Sequence, residues 1–171
     1  MDAVSLCESQ HRDILDRIAV AAAAPGPEAA VAVSRLVHAL LAHLATEEQL
    51  LFPQLRSDRT AATLAGVLED HRQLRKMTEE LRRAAPHSPA YMRSIEELRT
   101  RAAAHFTLEE HEVLPVATNE LEAEAREQLG SLMNERYLTL RGVEIRFVDL
   151  GAAPEAAPPL PESEPVRRRD R

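Results

Sequence analysis

A chain of 171 residues with a formal net charge of −7 is long enough to bury one substantial core and too acidic to suggest a nucleic-acid-binding face. Hydrophobic residues make up 44% of it and aromatic ones only 3%; Ala, Leu, Arg and Glu, all strong helix formers, dominate, so an all-α domain is the first expectation. The single cysteine, Cys7, excludes an intrachain disulfide, and neither a secretory leader nor an apolar run long enough to span a membrane is visible, so a soluble cytoplasmic protein is expected.

The first helical stretch runs from about Asp2 to Ala24, with Val4, Cys7, His11, Ile14, Leu15 and Ile18 at helical spacing, and Pro25-Gly26-Pro27 ends it. A second stretch, from about Pro27 to Leu55, carries the inward stripe Val33, Leu36, Leu40, His43, Glu47, Leu50 and Leu51. Ser57-Asp58 offers an N-cap for a third, about Arg59 to Ala84, with Leu64, Val67, Leu68, His71, Leu74, Met77 and Leu81 inward. In the loop that follows, Ser88 before Pro89 reads as N-cap then first helical residue. The fourth stretch, about Pro89 to Ala117, turns Ile95, Leu98, Ala102, His105, Glu109, Val113 and Val116 inward. Short connections between long helices imply antiparallel neighbours, hence an up-down-up-down four-helix bundle. A short fifth helix from about Asn119 to Arg136 completes a domain spanning residues 1–136. Residues 137–150 mix β-branched and charged side chains and are expected to be extended, and the Pro/Ala-rich tail, residues 151–171, to be disordered.

One phrase occurs twice, 62 positions apart: His43, Glu47 and Phe52-Pro53, then His105, Glu109 and Leu114-Pro115. In each copy a Glu follows the His by four residues and a Pro follows it by ten. Positions i and i+4 share one helix face, so each copy aims an imidazole and a carboxylate the same way. The repeated proline either ends or kinks its helix. Each of the four helices also carries one His near its middle on the apolar stripe: His11, His43, His71 and His105. Antiparallel packing keeps helix midpoints level, so all four can converge. Burying Glu47 and Glu109 beside them is costly without positive charge, and no Lys or Arg lies on the stripes of the first, second or fourth helices. Two metal ions answer this, with His11, His43, His71 and His105 as imidazole ligands and Glu47 and Glu109 as carboxylate ligands. Such donors suit iron, manganese or zinc, and two shared carboxylates favour a redox-active iron pair. The rival ferritin-type signature, Glu-x-x-His on two helices, is met only once, at Glu8 to His11.

Over about residues 5–117 these motifs resemble the hemerythrins, in particular the bacterial hemerythrin-like (HHE cation-binding) proteins. The resemblance implies an antiparallel four-helix bundle around two non-haem iron ions, oxo- or hydroxo-bridged when oxidised. It places His11 and His43 on one iron, His71 and His105 on the other, and Glu47 and Glu109 bridging both. Two departures stand out. Oxygen-carrying members have His-x-x-x-His on the third helix, where this chain has Arg75, which stays protonated and is a poor ligand. They also have Asp five residues after the fourth-helix His, where this chain has Glu at +4 and Glu110 at +5. The ligand set is similar to those of hemerythrin-like iron sensors and of di-iron proteins linked to nitric oxide and iron–sulfur repair, though the N-terminal Cys module usual in the latter is absent. The missing imidazole leaves an open position, which suits chemistry with peroxide or nitric oxide better than oxygen storage.

Of the remaining residues, Cys7 is expected to be a small core residue, with a redox role near the metals as the sharper option. Glu48 and Glu110 are expected to face solvent, with support of the ligands as the alternative. Arg75 is a solvated residue or a cation balancing the carboxylates. His38, His87 and His111 are not expected to ligate; Thr46 and Gln49 are read as surface, and Tyr91 as too distant. Three functional readings follow: a module that binds or senses O2, NO or iron status; an enzyme consuming peroxide or nitric oxide; and an iron store or carrier. Small molecules are the expected partners, and the tail ending in Arg167-Arg168-Arg169 could dock a protein.

Overall fold

A computed structural model of the chain describes residues 1–150, with side chains described through residue 142. The tail expected to be disordered, 151–171, lies outside the described residues. Helix α1 (Ala3–Ala23) starts where the Asp2 carboxylate accepts the backbone N–H of Ser5 at 3.0 Å. It stops before Pro25-Gly26-Pro27, whose glycine takes the left-handed conformation (φ +47) that turns the chain back. Helix α2 (Glu28–Thr46) returns antiparallel and passes into a π turn, Glu47–Leu51, and then a single α turn, α3 (Phe52–Leu55). Helix α4 (Ala61–Arg83) begins two residues later than the sequence pattern implies. The cap is a turn in which the Thr60 hydroxyl donates to the Leu55 carbonyl and accepts from Ser57 N–H. Helix α5 (Pro89–Leu108) opens on the expected Ser88 cap, which accepts Tyr91 N–H at 3.1 Å. It too passes into a π turn, Glu109–Val113, followed by α6 (Leu114–Glu120).

Helices α1, α2, α4 and α5 pack in a ring, each against the next, as the up-down-up-down bundle the sequence predicts. Two apolar clusters fill it. One lies toward the Pro25 end and includes Ile14, Leu40, Leu74, Leu98 and Phe106. The other lies toward the π turns and includes Leu6, Cys7, Leu51, Phe52, Val67 and Leu114. The polar residues of the stripes sit between them. The span Glu28–Leu55 is long and apolar enough to cross a membrane. Its apolar face is nevertheless the packed wall of the bundle, and the same face carries His43 and Glu47.

Two expectations need correcting. The fifth helix begins at Ala123, after a break at Leu121, where Arg126 caps the end of α6 by donating to the carbonyls of Leu121 and Thr118. This helix, α7 (Ala123–Leu150), runs on through residues 137–150, which are helical and not extended. The helix enters that segment as the continuation of a packed one: Ala125, Leu129, Met133 and Tyr137 form one buried stripe at four-residue spacing, and α7 packs against α1 and α2. Gly130 permits the contact. A Cβ there would stand 2.5 Å from the Met1 carbonyl oxygen and 2.7 Å from Ala3 N, both backbone atoms.

The inward stripes also depart in detail. Leu68 is 40% exposed, and Thr78 takes an inward place on α4 instead. Beyond Glu47 the buried residues are Leu51, Phe52 and Leu55, with Leu50 only half-buried. Beyond Glu109 they are Val113, Leu114 and Ala117, with Val116 half-buried. A π turn holds one residue more than an α turn, so each stripe slips by one position.

Candidate metal centre

Between the two apolar clusters the bundle buries His11, His43, Glu47, His71, His105 and Glu109, each at most 1% exposed. Helix α1 supplies His11, α2 supplies His43, α4 supplies His71 and α5 supplies His105. The carboxylates come from the first residue of each π turn. These are the six residues the sequence singled out, and they converge. His11, His43, Glu47 and Glu109 form one set whose donor atoms lie within 4.8 Å of one another; Glu47, His71, His105 and Glu109 form a second. The two carboxylates belong to both sets. The Nε2 atom of His43 is 3.3 Å from Glu47, that of His105 is 3.4 Å from Glu109, and that of His11 is 3.3 Å from Glu109. His71 Nε2 lies 3.6 Å from Glu47 and 3.5 Å from Glu109. Two donors each about 2.1 Å from one ion, at ordinary coordination angles, stand roughly 3.0–3.5 Å apart, so this spacing fits shared ions.

Hydrogen bonding gives an independent test. Buried polar atoms are rarely left without a partner. Among the described residues, the four Nε2 atoms and all four oxygens of Glu47 and Glu109 have none, and all eight face the same space. Imidazole nitrogens and carboxylate oxygens that lack hydrogen-bond partners, gathered in two sets joined by two carboxylates, are donor chemistry compatible with metal binding.

The other ring nitrogen of three of the four His is held from behind. His71 Nδ1 is 2.8 Å from Glu48, His11 Nδ1 is 2.8 Å from Glu110, and His43 Nδ1 is 2.9 Å from Gln10 Oε1. His105 Nδ1 has only Asp70, at 3.9 Å. Such contacts fix the tautomer that leaves Nε2 free. Glu48 and Glu110, expected to face solvent, therefore do so only in part: each keeps some exposure and also anchors a histidine on another helix. The π turn explains how consecutive residues both reach inward. An i→i+5 turn rotates less per residue than the 3.6-residue turn, so the residue after each buried Glu stays near the inward face. Nothing in a linear helical pattern marks Gln10, Glu48 and Glu110 as partners. The repeated proline was the available trace of the widened turn.

Arg75 lies outside the donor sets. Its guanidinium grips both oxygens of Glu48, at 2.8 and 3.0 Å, and so acts on His71 through that carboxylate. Burial works against Glu48 ionising, but His71 and Arg75 together hold it down to about 2. Burial likewise opposes charge on His11 and His71, and the surrounding carboxylates overcome it, raising them to about 10 and about 9. Burial and Glu109 push Glu47 up to about 7, whereas Glu109, although buried, is held low by His11 and His71. Burial and neighbouring imidazoles keep His43 neutral, and burial lowers His105 to about 4.

Phe106 closes the His11 side, stacked on that ring at 4.2 Å, and Phe52 approaches His71 at 5.4 Å. Cys7 is fully buried, as expected for a core residue. Burial, then Glu47 and Glu109, push its thiol far up, so it stays protonated beside the carboxylates. Thr46 is buried rather than on the surface, its hydroxyl donating to the Ala42 carbonyl. Gln49 is exposed, as read, and accepts from Arg136. Tyr91 donates to the Ala21 carbonyl, and His38, His87 and His111 stand apart from the cluster.

Comparison with known proteins gives the family and the fold. A family model described as Hemerythrin HHE cation binding domain matches residues 2–117. The crystal structure of a hemerythrin HHE cation binding domain-containing protein from Mycobacterium kansasii superposes with a TM-score of 0.78. That likeness holds at 22% sequence identity and covers 88% of this chain and 93% of the other. No curated protein sequence matches.

Proposed function

The chain belongs to the hemerythrin HHE cation-binding family, and from that premise we propose that its six buried ligands hold two iron ions and that the pair binds or senses a small oxidant, O2 or NO, in the cytoplasm. The observation that carries this is the set of eight buried donor atoms left without protein partners, arranged as two groups sharing Glu47 and Glu109. Iron bound there would supply reversible redox change and open coordination for a diatomic molecule. The protein's own residues set the terms. Glu48, Glu110 and Gln10 hold three imidazoles with Nε2 inward. Phe106 and Phe52 wall the site with apolar surface, and near-complete burial of all six ligands restricts entry to very small molecules.

A second reading, a redox enzyme consuming peroxide or nitric oxide, is favoured by one specific contact. The side chain four residues after His71 turns away to Glu48, so the His71–His105 group has two imidazoles and no third side-chain ligand from that position.

Metal analysis with an absorption spectrum tests the common premise. The expected result is about two iron ions per chain and a coloured oxidised form. One ion per chain, or a colourless oxidised form, would overturn it. Turnover of peroxide or nitric oxide by the loaded protein, measured against free iron, separates the enzyme from the binder.

A further inference from the structure

His11, His43 and His71 each have a partner within 2.9 Å of Nδ1, and His105 does not. The His105 side chain is fully buried, and the group facing its Nδ1 is Asp70 Oδ2, 3.9 Å away. The other half of the bundle shows what belongs there. Gln10 stands immediately before His11 on α1 and holds His43 on α2; Asp70 stands immediately before His71 on α4 and faces His105 on α5. The two residues fill equivalent places, and Asp is one methylene shorter than Gln. One carbon–carbon bond, about 1.5 Å long, accounts for the difference between the 2.9 Å of Gln10 and the 3.9 Å of Asp70.

Asp70 is also aimed. Arg101, one turn before His105 on α5, donates to Asp70 Oδ1 and leaves Oδ2 turned toward the ring. The matching position before His43 is Ala39, so an acid with its cation in one half replaces an amide without one in the other. Glu48 behind His71 is held the same way, by Arg75. We propose that Asp70 is the positioning residue of His105, and that it closes on Nδ1 when the ring binds metal. With Nε2 taken by a metal ion, the ring proton must sit on Nδ1, and a hydrogen bond from it to a carboxylate is charge-assisted. Closing to hydrogen-bond length takes roughly 1 Å. Arg101, with its side chain 44% exposed, can follow. An anionic acceptor raises the basicity of the imidazole more than an amide does, so Asp70 strengthens the hold of the His71–His105 group on its ion.

The closing step rests on the two-ion reading; the reach of residue 70 does not. Zinc, which is diamagnetic, is the probe for the full-length protein. Chelator competition gives its affinity, and nitrogen-15 spectra of the His105 ring give the position and exchange rate of the proton. Zinc loading should give a slowly exchanging Nδ1–H, and Asp70→Ala should make that exchange fast. The same substitution should weaken one of the two ions about 10–100-fold with helical content unchanged. Asp70→Glu should restore the affinity, and it should fix the proton on Nδ1 even in the metal-free protein, as should Asp70→Gln, which copies Gln10. Affinity indifferent to Asp70→Ala, or a loss that Asp70→Glu does not restore, overturns the proposal and leaves Asp70 as a surface partner of Arg101. A wild type that takes up fewer than two zinc ions overturns the two-ion reading instead. In that event the metal-free Asp70→Glu spectrum still decides the placement: a fixed Nδ1–H supports it, and a ring unchanged from the wild type overturns it.

Discussion

At the scale of single residues, the site is a repeat that has drifted. His11 and His71, His43 and His105, Glu47 and Glu109, and Glu48 and Glu110 fill equivalent places in the two halves, while the anchor of His43 is Gln10 and the residue facing His105 is Asp70. The largest difference is Arg75, which grips Glu48 and has no counterpart at Glu110, since Leu15 stands four residues after His11. Carboxylates that orient metal-bound imidazoles typically contribute 10–100-fold to affinity. Glu48→Ala and Glu110→Ala should therefore each lower metal affinity about 10–100-fold while leaving helical content intact, as measured by competition with a chromophoric chelator. Affinity unchanged in both would mean that the contacts are incidental surface pairs. The ligands themselves were legible in the sequence, because a His or Glu on an apolar stripe violates the pattern around it. Gln10, Glu48 and Glu110 were not, because contacts between helices from residues at the margin of a stripe leave no local mark.

At the scale of elements, the unusual feature is the π turn directly after each His-x-x-x-Glu. The His and Glu occupy the last regular α turn, with Glu47 N–H still reaching the His43 carbonyl, and the next bonds are long: Phe52 N–H to the Glu47 carbonyl, Leu114 N–H to that of Glu109. A proline one residue later, Pro53 or Pro115, lacks an N–H and in a regular helix would clash with the carbonyl four residues back. The widened turn relieves both problems. The sequence thus offered the proline offset but not the π turn before it, because an inserted residue is invisible to a fixed 3.6-residue period. The extra residue is removable in principle. Without His111, which is exposed, Glu109, Val113, Leu114 and Ala117 would fall at i, i+3, i+4 and i+7, a regular inward stripe. Deleting His111 should keep stability within about 1 kcal/mol by chemical denaturation. It should also swing Glu110 away from His11 and weaken metal binding about tenfold or more. An unfolded variant, or one with unchanged affinity, would show that the π turn serves packing alone.

At the scale of the whole molecule, the bundle must bury two carboxylates and four imidazoles whether or not metal is bound, and protons take the place of the ions when it is not. His11 and His71, raised to about 10 and about 9, are the cations that balance Glu47 and Glu109 in the metal-free fold. A histidine whose pKa is raised on folding binds its proton more tightly in the native state. Its contribution is complete below the unfolded value near 6.5 and is lost as pH rises through the folded value. Glu47, raised to about 7, acts with the same sign at the lower end of this window. His43 and His105 are lowered instead; the pH range in which they act with the opposite sign ends near 6.5, where the unfolded histidines lose their protons. Between about pH 7 and pH 10 the terms therefore run one way, and the melting temperature of the metal-free protein should fall steadily across that range. Metal loading replaces those protons, so at about pH 7 it should release between two and three per chain, two from His11 and His71 and part of one from Glu47, read from calorimetry in buffers of different ionisation enthalpy. The loaded protein should then melt at a temperature that is nearly flat over the same range. A metal-free protein equally stable at both ends, or loading without proton release, would mean that His11 and His71 are neutral in the empty bundle and that its buried carboxylates are balanced in some other way.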